Sequence, residues 1–188
     1  EAFAEEGALM AKLDHPNVIS IIGACWSIEH GSMCLVLELC TIGALQGLLD
    51  DETQQLPWAT RRVPIARDIA RGMNYLHNQS PCIIHRDLKP ANVLLAPSWT
   101  AKLCDFGTSR EHAAAGVATM TAVGTPLYEP PEVMRRDAYD ESCDVWSFGC
   151  VLFALSTRQQ PYHDTDANAL ADADRGTMIT DDLMIKLR

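Results

Sequence analysis

Residues 85–92 read His85-Arg86-Asp87-Leu88-Lys89-Pro90-Ala91-Asn92, and the identity of the fold turns on this octet. A short apolar run, Cys82 to Ile84, precedes it and another, Val93 to Leu95, follows. Such runs predict strands, which places Asp87, Lys89 and Asn92 on the loop between them. Taken singly, each has an ordinary explanation, because an aspartate or asparagine on a loop is most often a cap or a turn former. Seven specified residue types in one short segment outweigh that explanation. Thirteen residues after Asn92 comes Asp105-Phe106-Gly107, and later again Asp144-Val145-Trp146-Ser147-Phe148-Gly149.

Three motifs in this order resemble the eukaryotic protein kinase domain of the Ser/Thr type. The resemblance runs from Glu1 to about Tyr162 and implies an α+β fold, mainly the helical C-lobe of that family with a remnant of its small β lobe. Residues 1–39 would be the partial N-lobe, holding the end of helix C and two strands. Residues 40–188 would be the hinge and a C-lobe cut short at its C-terminal end. Asp105-Phe106-Gly107-Thr108-Ser109-Arg110 and Ala122-Val123-Gly124-Thr125-Pro126 are most similar to the tyrosine-kinase-like group.

The implied chemistry is transfer of the ATP γ-phosphate to a protein hydroxyl, a reaction governed by positioning and charge neutralisation. By the resemblance, Asp87 is the catalytic base that orients the acceptor hydroxyl. Lys89 would place a compact positive charge near the γ-phosphate. Asn92 and Asp105 supply hard oxygen ligands suited to Mg²⁺, with Mn²⁺ an alternative. Thr125 would touch Asp87 and Lys89 at the substrate site, and Lys89 together with Thr125 is the Ser/Thr-kinase combination. Gly124 to Glu132 resembles the end of the activation segment, with Pro130 where the family usually has Ala.

Leu35-Val36-Leu37-Glu38-Leu39-Cys40 resembles the fifth strand and the interlobe hinge. There the Glu38 carbonyl and the Cys40 N–H would bind adenine, Leu37 would guard the back pocket and Leu94 would form the adenine floor. A plain core strand is nearly compatible with the same residues. Glu6 lies nine residues before His15, where the family places the helix glutamate that pairs with a strand lysine. Without that register it would be a solvated carboxylate like its neighbour Glu5. Met10, Ile21, His85 and Phe106 fall on the family's regulatory spine, and Asp144 would bond the backbone of the catalytic loop. Arg86 suggests control by phosphorylation, since a guanidinium there pairs with a new phosphate. Thr119 and Thr121 are the foremost acceptors, followed by Thr108 and Ser109. An upstream kinase, or a second copy acting in trans, would supply that phosphate. Cys104 is a buried apolar residue or, from its place beside the nucleotide, a reactive thiol.

Composition narrows the alternatives. The 188 residues are 47% hydrophobic and 21% charged, enough for a folded core. A formal charge of −10 and the lack of a Lys/Arg stripe argue against nucleic acid as a partner. Seven cysteines without a C-x-x-C pair point to neither a zinc site nor a disulfide framework, and fit a reducing cytoplasm or nucleus. The richest apolar segment, Val145 to Leu155, is well short of the roughly 18 residues that span a bilayer.

The local pattern predicts a helix ending near Leu13, stopped by Asp14-His15-Pro16-Asn17, and an antiparallel pair from Val18 to Cys25 and Met33 to Leu39. Trp58 to His77 carries an apolar stripe (Ile65, Ile69, Met73, Leu76) interrupted by Pro64, which predicts a kink or a helix start near Val63. Ser142 to Ser156 is apolar nearly all round, which predicts a helix buried on every side at the centre of the core.

The family's Gly-rich phosphate loop and strand lysine have no counterpart in residues 1–188, nor has the arginine expected to pair with Glu132; Arg158 is too near in sequence to replace it. The chain opens at Glu1 within a helical pattern, so upstream residues are expected, and the 188 residues alone are expected to be inactive. Two readings follow: a segment of an active Ser/Thr kinase acting on ATP and a protein substrate, or a truncated, pseudokinase-like fragment serving as a binding scaffold.

Overall fold

Strong helix formers at the start of the chain coil into α1 (Ala2–Met10), and Pro16 keeps the helix from extending further. The computed structural model describes residues 2–27, 32–107, 109–112 and 126–162. Strands β1 (Ile21–Ser27) and β2 (Ser32–Leu37) form the expected antiparallel pair, with Ile21 opposite Leu37 and Cys25 opposite Cys34.

The first strand starts later than its apolar run. Val18 and Ile19 leave the hairpin and are almost fully buried elsewhere, because more apolar surface is available to them against the following layer. There β3 (Gly43–Ala44), α2 (Leu45–Asp50), α3 (Val63–His77), β4 (Cys82–Ile84), β5 (Val93–Leu95) and β6 (Ala101–Leu103) come together. Ile19 N–H donates to the Leu103 carbonyl at 2.9 Å, and Leu103 N–H donates to the Asn17 carbonyl at 3.0 Å. Strands β3, β5 and β6 make an antiparallel sheet in that order, while β4 pairs with β7 (Arg110–His112).

Pro64 does what its fixed φ and missing N–H dictate. A π-helical turn, Trp58–Arg62, leads in, and α3 begins at Val63 so that Pro64 sits in the first turn, where no donor is lost. The stripe Ile65, Ile69, Met73 and Leu76 is buried. Gly72 lies on the same helix where segment 14–17 crosses it, and a Cβ there would stand 2.6 Å from the Asn17 carbonyl oxygen. Around this crossing Asp14 N–H donates to Tyr75 Oη at 2.9 Å, and the His15 ring stacks on Tyr75 at 4.7 Å.

The last described elements are α4 (Pro131–Met134) and α5 (Ser142–Thr157). The expectation that this final helix is buried on every side does not hold among the described residues. Cys143, Asp144, Ser147, Cys150, Val151, Ala154 and Leu155 form a buried stripe, whereas Val145 is 57% exposed and Leu152 and Phe153 are close to 40%. Apolar composition sets no upper limit on exposure; the helix buries only the face that other elements reach. The centre of the core lies between α3 and the β5–β6 strands, where Ile65, Ile69, Leu76, Leu88, Val93, Leu95 and Leu103 have no exposed surface.

Candidate active site

The chain leaves β4 in a sharp bend, with Arg86 in the left-handed region at φ 67°. A non-glycine residue holds that conformation only when its surroundings enforce it. Asp144, in the first turn of α5, does so. Its Oδ2 accepts the His85 N–H and its Oδ1 the Arg86 N–H, both at 2.8 Å, and His77 Nε2 lies 2.8 Å from Oδ2. Complete burial pushes this carboxyl upward, but His77, His85 and the two backbone donors outweigh it and leave Asp144 below the ordinary aspartate range.

Asp87 follows immediately and is buried. Lys89 Nζ is 2.7 Å from its Oδ2, and Asn92 Nδ2 donates at 2.8 Å both to that oxygen and to the Asp87 carbonyl. Pro90 and the 3₁₀ turn Pro90–Asn92 set this approach, with Asn92 N–H donating to the Lys89 carbonyl at 2.9 Å. Because both Asn92 donations go to Asp87, its Oδ1 is the atom left for a cation.

Asn92 also fixes the next motif, since its carbonyl accepts the Cys104 N–H at 3.0 Å. Phe106 is buried with its ring 5.3 Å from that of His85, and Asp105, at φ 63°, is turned outward and exposed. Glu6 reaches this point from α1. Glu6 Oε2 and Asp105 Oδ1 would each lie 3.5 Å from a Cβ on Gly107, so two carboxylates converge there. Burial, then the Asp105 charge, raises the Glu6 carboxyl above its usual range, against a hydrogen bond from the Phe106 N–H. Asn92 and Asp105 are the hard oxygen donors that Mg²⁺ prefers, and Mg²⁺ commonly uses only one or two protein ligands beside substrate phosphates. The donor set fits that ion.

After β2 the Glu38 carbonyl and Cys40 N–H make no hydrogen bond among the described residues, Leu37 is 37% exposed, and Leu94 on β5 is half-buried. The Glu38 side chain is occupied: Oε1 accepts the Ser20 N–H at 2.8 Å and lies 2.8 Å from Lys102 Nζ. Burial would raise this carboxyl, but Lys102 and Ser20 more than compensate and lower it.

Several expectations need correction or fall outside what is described. Thr125, with Thr108, Thr119 and Thr121, lies outside the described residues. Ser109 is half-buried and its hydroxyl donates to the His85 carbonyl at 3.3 Å, so it is engaged with the catalytic loop. Cys104 is partly covered, and burial, helped by the Asp105 charge, pushes its thiol up to about 12, which favours the apolar reading over the reactive one. Arg158 donates to the Asp51 and Gln54 carbonyls, closing the end of α2 rather than pairing with Glu132. Arg86 Nη1 donates to Tyr139 Oη at 3.3 Å, while its Nε is buried without a hydrogen-bond partner among the described residues.

The sequence assigns no role to four residues of the site: His77 on α3, Asn17, whose Nδ2 donates to the Ala101 carbonyl at 2.9 Å, Lys102, and Glu129. Glu129 is 8% exposed, and burial followed by the Asp87 charge raises its carboxyl. The local signals are the stretches 14–17 and 124–132, which hold Asn17 and Glu129, and a lysine three residues before Asp105.

Comparison with known proteins agrees with this geometry. The family model described as the protein kinase domain matches residues 1–186. The probable serine/threonine-protein kinase drkA of Dictyostelium discoideum is 42% identical over 160 residues, 85% of this chain and 24% of that protein. The serine/threonine-protein kinase CTR1 of Arabidopsis thaliana is 42% identical over 162 residues, 85% of this chain and 19% of its own length. The chain thus spans a quarter or less of these two relatives. Among solved structures, a chain of the yeast RNA Pol II CTD kinase CTDK-1 complex aligns with a TM-score of 0.75 at 28% identity, covering 85% of this chain and 51% of that one.

Proposed function

The chain belongs to the protein kinase domain family, and from that premise we propose that it is the catalytic part of a protein serine/threonine kinase, moving the γ-phosphate of ATP to a protein hydroxyl. The observation that carries the reading is the catalytic loop itself, where Asp87 is held at 2.7–2.8 Å by Lys89 and Asn92 on a turn pegged to α5 by Asp144. A side chain fixed in this way is preorganised, which phosphoryl transfer demands more than covalent participation.

Asp87 would accept a hydrogen bond from the substrate hydroxyl and take its proton as the oxygen bonds to phosphorus. Lys89, already beside Asp87, would balance charge building on the transferred group. Asn92 Oδ1 and Asp105 would hold Mg²⁺, which when bound neutralises phosphate charge. The adenine would lie against Leu94, with the Glu38 carbonyl and Cys40 N–H as its hydrogen-bonding partners and Leu37 at the rear. Glu6 faces this cleft from α1 in position to pair with a lysine. Thr125 belongs to the same substrate site in this reading, and the division between small and large lobes falls at residues 39 and 40. The Nε of Arg86, buried and without a partner among the described residues, suits a phosphate on the activation segment. Seven free cysteines suit a reducing compartment, the cytosol first.

Transfer from ATP to Ser, Thr and Tyr peptides by the full-length protein is the test. Asp87→Asn is expected to lower kcat by about 10² to 10⁴ with little change in ATP affinity. Activity retained in Asp87→Asn would sink the mechanism. Tyr-only transfer would overturn the acceptor class. A protein that binds a partner but transfers nothing would favour the scaffold reading.

A further inference from the structure

The register of the β1–β2 hairpin sets Cys25 directly opposite Cys34. Directly opposed residues of an antiparallel pair project from the same face, with Cα atoms about 4.5 Å apart in a non-hydrogen-bonded pair or about 5.5 Å in a hydrogen-bonded one. Both separations fall within the roughly 4.4–6.8 Å that a disulfide accepts, so the backbone spacing of the pair permits a bond between the two sulfurs. The neighbouring pair, Ala24 and Leu35, presents the other face, which is the one toward α1, since a Cβ on Gly7 would meet Leu35 Cδ2 at 2.9 Å. The cysteine pair therefore lies on the side of the hairpin away from α1.

These two thiols also differ from the other five. Cys25 and Cys34 are free and exposed. Cys40, Cys82 and Cys104 are partly covered, Cys143 and Cys150 are buried, and burial raises every one of those five thiols, which suppresses the reactive thiolate. An oxidant arriving from solvent meets the facing pair first.

We propose that Cys25 and Cys34 are a reversible oxidation site that closes to an intramolecular cross-strand disulfide under peroxide. One thiolate attacks the peroxide O–O bond and becomes a sulfenic acid, releasing hydroxide, which takes up the proton lost from that thiol. The second thiol then attacks the sulfenic sulfur, the S–S bond forms and water leaves. In total two thiols lose two electrons and two protons, and one hydrogen peroxide becomes two waters. Two equivalents of a small thiol such as glutathione reverse the change, and an exposed disulfide is the kind such thiols reduce readily. The bond would staple β1 to β2 just ahead of Glu38, where β2 runs into the hinge. This site stands independently of the kinase reading.

The test is to treat the full-length protein with hydrogen peroxide, block remaining thiols with iodoacetamide, and map the peptides by mass spectrometry. The expected product is one linked species containing both Cys25 and Cys34, lighter by two hydrogens, monomeric on a non-reducing gel and reopened by reduced glutathione. Cys25→Ser and Cys34→Ser, both surface changes, should each abolish it. Recovery of both cysteines alkylated after peroxide, their separate oxidation to sulfenic or sulfinic acids, or linkage only between two protein molecules would overturn the proposal.

Discussion

Asp144 and Glu129 both bury a carboxylate beside the catalytic loop, but Asp144 is surrounded by donors while Glu129 has neither a hydrogen bond nor an ion pair among the described residues. Their pH responses should therefore have opposite signs. The folded pKa of Asp144 is lowered from 3.8, so its contribution is fully present above that value and disappears as pH falls through the folded pKa. Asp144→Asn turns an amide toward two backbone donors and is expected to cost about 2–4 kcal/mol near pH 7 in urea unfolding, with the deficit shrinking in acid. Glu129 is raised from 4.5, so the native state binds its proton more tightly than the unfolded chain, and stability declines as pH rises through the folded value. Glu129→Gln should gain about 1 kcal/mol at pH 8 and nothing near pH 4. Equal urea midpoints for variant and parent at both pH values would contradict this. Only the Asp144 effect was foreseeable, because its motif was legible, whereas the neighbours of Glu129 come from a loop more than 40 residues earlier in the chain.

Helix α3 shows how far local pattern reaches at the level of an element. Its stripe and its start at Val63 follow from 3.6-residue periodicity and from proline stereochemistry, both properties of adjacent residues. The role of Gly72 does not, because it arises from a segment that crosses the helix from residue 17. Replacing Gly72 with Ala ordinarily gains about 1 kcal/mol in a helix interior. Here the new Cβ would meet a backbone oxygen at 2.6 Å and Leu103 Cδ1 at 2.9 Å, and a backbone atom cannot rotate aside. Overpacking of this kind costs about 1–3 kcal/mol, so Gly72→Ala is expected to lower stability by about 1–2 kcal/mol net, read as a lower urea midpoint. A raised midpoint would mean that segment 14–17 yields. Helix α5 makes the complementary point, since its apolar residues lie nearly all round and carried no sign of which face other elements would cover.

At the scale of the whole molecule, the polar ties that join residues 2–39 to the rest include Glu6 to Phe106, Asn17 to Ala101 and Leu103, Ile19 to Leu103, Asp14 to Tyr75, and Glu38 to Lys102. The last is ionic, with the lysine side chain 11% and the glutamate 29% exposed. A double-mutant cycle of Glu38→Gln and Lys102→Met is expected to show a coupling of about 1 kcal/mol at pH 7. Since the Glu38 carboxyl is lowered from 4.5, that coupling should fade as pH drops through its folded value, and a coupling that persists in acid would show that the pair is not ionic. The chemistry proposed for this chain was readable without coordinates, because Asp87, Lys89, Asn92 and Asp105 occur in short segments whose spacing is itself the signal. Helices and hairpin were readable for the same reason, being set by neighbours a few residues apart. Tertiary structure alone could bring His77 within 2.8 Å of Asp144 across 67 residues, tie Glu38 to Lys102, partly cover Cys104 and leave one face of α5 exposed. Those outcomes depend on which surfaces meet when the chain closes on itself, and no local pattern encodes that.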